Sequence, residues 1–111
     1  MSEGRRILLA SDSGISIRAF GDIPDAIAAC LGADGLILTE GDLAQEFFDL
    51  RSGLAGELFQ KFMNYKLRLA IVLPDPGAYG ERFSELVYEH TSHGMIRFVR
   101  SEDEAKAWLR T

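Results

Sequence analysis

Three short, almost wholly apolar runs dominate this chain: "GLILT" (35–39), "LRLAIVLP" (67–74) and "MIRFV" (95–99). Such runs suit strands buried on both faces of a sheet, because neither side of the pleat is left for water. Between them lie stretches with the period of a helix. In "GLAGELFQKFMN" (53–64), Leu54, Ala55, Leu58, Phe59, Phe62 and Met63 form one broad apolar stripe, opposite Glu57, Gln60 and Lys61. Strands alternating with amphipathic helices mean parallel neighbours joined by right-handed crossovers. The alternation predicts an α/β fold.

The other elements follow from local signals. "GDIPDAIAACLG" predicts a helix with Asp22 as N-cap and Pro24 in its first turn. Its core face is Ile23, Ala26, Ile27, Cys30 and Leu31, and Gly32 ends it. "EGDLAQEFF" predicts one irregular helical turn, with Asp42 and Gln45 at capping-box spacing. A helix over 78–91 and a last one over 101–110, capped by Ser101 with Glu104, complete the list. At the start, "RRILLAS" (5–11) and "ISIRAF" (15–20) predict two strands only three residues apart. A hairpin is the economical connection, so the sheet is expected to be mixed.

With 111 residues, 47% of them hydrophobic and 26% charged, the chain is expected to form one domain over 1–111. Its net charge is −5 and its basic residues are scattered, which argues against nucleic acid and against an anionic membrane as partners. No apolar run approaches the roughly 20 residues of a membrane span, and the apolar run in "MSEGRRILLASDSG" is too short for a signal peptide. A cytoplasmic location is expected. Cys30 is the single cysteine and sits among small apolar residues, so it is expected to pack as a modest hydrophobe.

The junction "FFDLRSGLAGE" (47–57) carries the functional interest. If a helix opens at Gly53, Ser52 is its N-cap, accepting an N–H two or three residues on. A helix start also offers unpaired N–H groups and partial positive charge, so the same serine is a place where phosphate is favoured. Arg51 is adjacent, and Gly53 and Gly56 remove bulk around the turn. Gly56 also suits a close crossing of two helices. His90 and His93 are the only histidines, too few for a zinc site, so no metal and no cofactor are expected. There is no G-x-S-x-G elbow, no G-x-G-x-x-G and no Walker loop, and an enzyme is the less favoured reading.

Residues 33–109 resemble the STAS domains, named for sulphate transporters and anti-sigma-factor antagonists. The resemblance rests on the order strand, "FFDLRSGL" junction, long helix, "LRLAIVL", helix, "MIRFV" and "SEDEA". Ser52 stands where antagonist members carry the hydroxyl that a partner kinase phosphorylates, followed by Gly53 and Leu54, and Asp49 resembles the junction's acid. Leu50-Arg51 makes the spacing one residue longer than the usual pattern. The chain is also similar to a small bacterial family of uncharacterised STAS-like domains, through Phe47 to Leu50, Ser52 to Glu57, Gln60, Lys61, Asn64 and Tyr65. The resemblance implies a STAS-like mixed sheet and a non-catalytic regulatory module. Such a module would bind a protein partner, an anti-sigma-type kinase among them, through Asp49, Leu50, Arg51, Ser52, Gly53, Gly56 and Glu57, with charge on Ser52 as the switch. The alternative is a small-molecule, nucleotide or anion-binding module using the helix start at Ser52-Gly53. An apolar sheet edge would offer a route to a homodimer.

Overall fold

The structure is a computed structural model, which describes residues 6–111. Four strands, β1 (Ile7–Leu9), β2 (Gly35–Thr39), β3 (Leu69–Val72) and β4 (Ile96–Val99), form one sheet in the order β1-β2-β3-β4. Every neighbouring pair is parallel. The register aligns Leu8, Leu36, Leu69 and Ile96 in one row, and Leu9, Ile37, Ala70 and Arg97 in the next. Successive rows face opposite sides, as the two-residue period of a strand requires.

Among the described residues six α-helices flank the sheet: α1 (Ala10–Ser13), α2 (Asp22–Cys30), α3 (Gln45–Phe48), α4 (Leu54–Asn64), α5 (Glu81–Glu89) and α6 (Glu102–Leu109). Right-handed crossovers that always step in the same direction place their helices on one face. There Ile27 of α2, Leu58 and Phe62 of α4, and Phe83 of α5 join Leu36, Leu69 and Phe98 in the main core. The other face would be bare without α6, whose Ala105 and Leu109 pack on Ile37, Ala70, Val72 and Val99. Ser101 caps this helix, its Oγ accepting from Glu104 N at 3.1 Å, and the carboxylate of Glu104 accepts in turn from Arg100 N. Trp108 lies under two guanidinium groups, Arg97 at 4.7 Å and Arg68 at 5.4 Å from its ring centre.

The expected hairpin and mixed sheet are not formed. β1 ends at Leu9, Arg5 lies outside the described residues, and "ASDS" winds into the single turn α1, stopped by Gly14 at φ 69°. Residues 15–20 are not a sheet strand; Ile17 alone makes an isolated parallel bridge, to Leu43. Ile15 and Ile17 are buried, so the alternation is real, but it arises from an extended segment crossing the carboxyl edge of the sheet. Arg18 donates to Gly41 O at 3.0 Å and holds that segment there.

Other differences are local. The 40–48 segment makes two turns rather than one: a tight turn Glu40–Asp42 and then α3. Its capping interaction joins Thr39 and Asp42, not Asp42 and Gln45, with the carboxylate of Asp42 accepting from the amide and hydroxyl of Thr39 at 2.9 Å each. Gly21, not Asp22, precedes α2, and Asp22 Oδ2 instead accepts the amides of Arg18 and Ala19. The helix stops at Cys30, so Leu31 turns outward and is 57% exposed rather than core. The 78–91 helix is shorter, with the tight turn Pro76–Tyr79 leading into α5.

Candidate functional site at the carboxyl edge of the sheet

The chain leaves β2 and β3 at the same edge of the sheet, and the two exits form neighbouring turns. The first runs from Glu40 through α3 and the tight turn Leu50–Ser52 to α4; the second is Pro74–Gly80. An aromatic cluster joins them. Phe47 is fully buried and meets Phe59 and Phe83 edge-on. Phe48 stacks on Tyr79 with ring centres 3.8 Å apart and planes 8° from parallel. The phenol of Tyr79 donates to Glu40 Oε2. That hydrogen bond first, then burial and the nearby carboxylates of Glu40 and Asp75, push the Tyr79 hydroxyl up to about 12.

Ser52 sits at the end of the first turn and is half-buried. Its hydroxyl donates to the carbonyl of Glu46 at 2.6 Å and accepts the amide of Leu54 at 3.2 Å. α4 begins at Leu54, and Gly53 is its cap residue at φ 81°, a left-handed value that any residue with a Cβ disfavours. The helix thus starts one residue later than expected and its N-cap is Gly53 rather than Ser52, although the serine hydroxyl still accepts the amide of the first helical residue. The second bond, back to α3, was not legible in the sequence. Glu57 N closes the first helical bond to Gly53 O, which leaves the amides of Ala55 and Gly56 among the donors a helix start cannot satisfy internally.

The other candidate residues divide between two sides. Asp49 caps the tight turn, its Oδ1 accepting Arg51 N at 3.1 Å and lying 3.5 Å from Arg51 Nε. Both side chains are well exposed, so this ion pair adds little stability. Asp49, Leu50 and Arg51, with Phe48, form one wall of a shallow groove of about 430 Å³, whose other wall is the start of α5 with Tyr79, Arg82 and Phe83. Gly53 and Glu57 face away from it. A Cβ at Gly53 would come within 3.8 Å of Phe20, and Glu57 lies with Lys61 along the cleft between α2 and α4. Gly56 is open: a Cβ added there would meet nothing within 4 Å, so no helix among the described residues crosses at that point.

The histidines are engaged elsewhere. His90 Nδ1 bonds Leu86 O at 2.9 Å, and His93 Nδ1 accepts the amides of Met95 and Ile96 at 3.0 and 3.1 Å. Two donors on one nitrogen assign the proton of neutral His93 to Nε2. Among the described residues no group of three or more His, Cys, Asp or Glu is arranged to hold a metal ion. Cys30 is buried, and burial pushes its thiol up to about 11 against a smaller opposing pull from Arg6. No helix among the described residues is long and apolar enough to cross a membrane.

Together these features define a small α/β domain with an all-parallel four-stranded sheet and an aromatic-backed rim at its carboxyl edge. The chain belongs to the family described as Domain of unknown function (DUF4180), whose model matches residues 2–109. Comparison with curated proteins and with solved structures gives no match.

Proposed function

We propose that the chain is a non-catalytic regulatory module that binds a protein partner through the rim at 49–57, with charge on Ser52 controlling the contact. The observation that carries this reading is the double engagement of an accessible hydroxyl: Ser52 Oγ holds both Glu46 O and Leu54 N at the root of the rim. A phosphate ester there loses the O–H donor and brings a charge of about −1.5 to −2 beside a carbonyl and near Asp49. The α3–α4 junction then has to open or turn toward the first-turn amides of α4, and the displayed surface changes with it. The likeness of "FFDLRSGL" to the STAS junction supports the same serine, while the all-parallel sheet departs from the mixed sheet that likeness implied.

Strand order also supports surface recognition over a buried reaction centre. In open α/β sheets the ligand crevice arises where strand order reverses, and β1-β2-β3-β4 runs through without reversal. A switch penalty of about 3 kcal/mol corresponds to a hundredfold loss of affinity. The test is capture of partners from the source cell on immobilised wild-type, Ser52→Ala and Ser52→Asp protein, followed by titration of the recovered partner. Loss of about a hundredfold with Ser52→Asp and retention with Ser52→Ala is expected. Undiminished affinity of Ser52→Asp removes the proposal.

A second reading, an anion or nucleotide module using the helix start at Ser52-Gly53, is favoured by the first-turn amides of α4 that find no partner within the helix. A thermal-shift screen with nucleotides, phosphate and sulphate separates the two. A saturable rise abolished by Ser52→Asp establishes ligand binding there.

A further inference from the structure

On the face of the sheet that carries α2, α4 and α5, α5 is the last helix, because it crosses to the edge strand β4. Ser84, Val87 and Tyr88, continued by Thr91 just past its end, share one side of it at the i, i+3, i+4, i+7 spacing. The sheet answers this stripe with Leu73 and Arg100. Leu73 N bonds Val99 O at 2.8 Å, one step beyond the last register pair of Val72 with Val99, so Leu73 and Arg100 lie side by side. Phe98 faces the main core and Val99 faces α6, and the two-residue period turns Arg100 back toward α5. Stripe and row enclose a groove of about 210 Å³. Its inner wall is Leu73, Val87 and Phe98, none more than 5% exposed.

The polar groups of the groove are few, and most are already engaged. Ser84 Oγ donates to Pro76 O at 3.3 Å and Thr91 Oγ1 donates to Tyr88 O at 3.0 Å, so neither hydroxyl has a proton to spare. The donors left are the phenol of Tyr88, 80% exposed at the mouth, and the guanidinium of Arg100, which has no partner among the described residues. No acid lines the groove. Two carboxylates of the same edge, Asp75 and Glu104, are turned to backbone amides, those of Gly77 and Arg100. An apolar slot with one uncompensated cation at its end is complementary to an anion with an apolar body.

We propose that this groove binds a small aromatic carboxylate, its ring against Val87 and Phe98 and its carboxylate on Arg100. A guanidinium presents two parallel N–H groups to a carboxylate, which fixes the direction of the ligand. The volume is below the roughly 300–1,000 Å³ of pockets for drug-sized ligands, so one ring with a short arm is the fitting size. So few atoms give a dissociation constant of about 1 mM or somewhat tighter. The groove shares no residue with the one beside Asp49 and Arg51, and the proposal does not depend on that rim.

Titration of the isotope-labelled full chain with phenylacetate, followed by amide chemical shifts at fixed pH and ionic strength, tests it up to about 20 mM. Saturable shifts centred on Val87, Tyr88, Thr91, Phe98 and Arg100 are expected. Phenylacetamide, which keeps the ring without the charge, and inorganic phosphate, which keeps charge without the ring, are each expected to bind at least tenfold more weakly. Arg100→Gln, an exposed position whose fold the same spectrum verifies, is expected to weaken phenylacetate at least tenfold and to leave phenylacetamide unchanged. Absence of saturable binding overturns the proposal, as do shifts centred elsewhere. Equal affinity for the acid and its amide, or undiminished binding by Arg100→Gln, overturns it as well. Shifts along α5 that grow with protein concentration alone would assign the groove to a second copy of the chain and remove the carboxylate.

Discussion

Replacing Gly35 by alanine tests whether α6 closes the second face of the sheet. Gly35 opens β2 directly beneath Leu109, which is fully buried. A Cβ at position 35 would lie 2.5 Å from Leu109 Cδ2, 3.0 Å from Cδ1 and 3.2 Å from Cγ. Apolar carbons rest at about 3.5–4.0 Å, so either Leu109 leaves its rotamer or α6 lifts by about 1 Å. Overpacking of this kind costs about 1–3 kcal/mol. Against it, alanine restricts the unfolded chain and returns about 0.4–1 kcal/mol where its backbone angles are tolerated. A net loss of about 1–2 kcal/mol is expected from urea denaturation, with an unchanged denaturant slope. Leu109→Ala alone empties buried volume and is expected to cost about 2–5 kcal/mol. In the double variant the clash vanishes and the new methyl fills part of the hole, so the two costs combine to less than their sum, by about 1 kcal/mol or more. A neutral or stabilising Gly35→Ala, or strictly additive losses, would refute the seating of α6 on β2.

Two titrations probe the remaining buried chemistry. Of the three tyrosines, Tyr79 is expected to ionise late, at about 12, and Glu40→Gln to lower that midpoint, read from phenolate absorbance; a midpoint unmoved by the substitution means the hydrogen bond does not hold the proton. For Cys30 the folded thiol is raised from 9.0 to about 11, so the neutral form is the one the fold prefers. Its contribution is full below pH 9 and is lost as pH climbs toward 11, because the unfolded chain gives up the proton first. Wild type should therefore lose about 1 kcal/mol more than Cys30→Ala between pH 9 and 10 in urea melts, and parallel losses in the two proteins would sink the assignment.

What could be read from the sequence was what burial on both faces dictates. "GLILT", "LRLAIVL" and "MIRFV" became β2, β3 and β4 because each must exclude water on two sides, and the stripe from Leu54 to Phe62 became α4. Failure came where burial did not imply a sheet. Ile15 and Ile17 alternate like a strand, yet Ile15 N bonds back to Ala10 O at 3.0 Å, and Ile17 pairs with the turn at Asp42 to Ala44, by Ile17 N to Asp42 O at 2.8 Å and Ala44 N to Ile17 O at 3.0 Å. Leu31 continues the helical spacing of Ile27, but the chain turns extended at that residue, with ψ 127°, and swings it outward. At the site, the cap position of α4 falls on Gly53 rather than Ser52, whose hydroxyl still accepts the Leu54 amide, and the turn-capping role of Asp49 was not read from the sequence at all. Tyr79, Arg82 and Phe83 carry no local signal, because only the pairing of β2 with β3 brings them opposite Phe48.

The position of Ser52-Gly53 gives the two surfaces a common root. On one side the serine hydroxyl ties α3 to α4, and α3 ends in the aromatic wall of the Asp49–Arg51 groove. On the other, Gly53 lies against Phe20, which lines the groove between α2 and α4. Gly53 occupies a left-handed conformation that a small residue holds at little cost, and the two bonds of Ser52 add to the turn's backbone bonds, Ser52 N to Asp49 O and Gly53 N to Leu50 O. A charge that breaks the bond to Glu46 would therefore act on both walls: Phe48 and Asp49 through the end of α3, and Phe20 through the start of α4. The oxygen bonds α3 on one side and the first residue of α4 on the other, which is the physical reason to look for control there rather than within either groove.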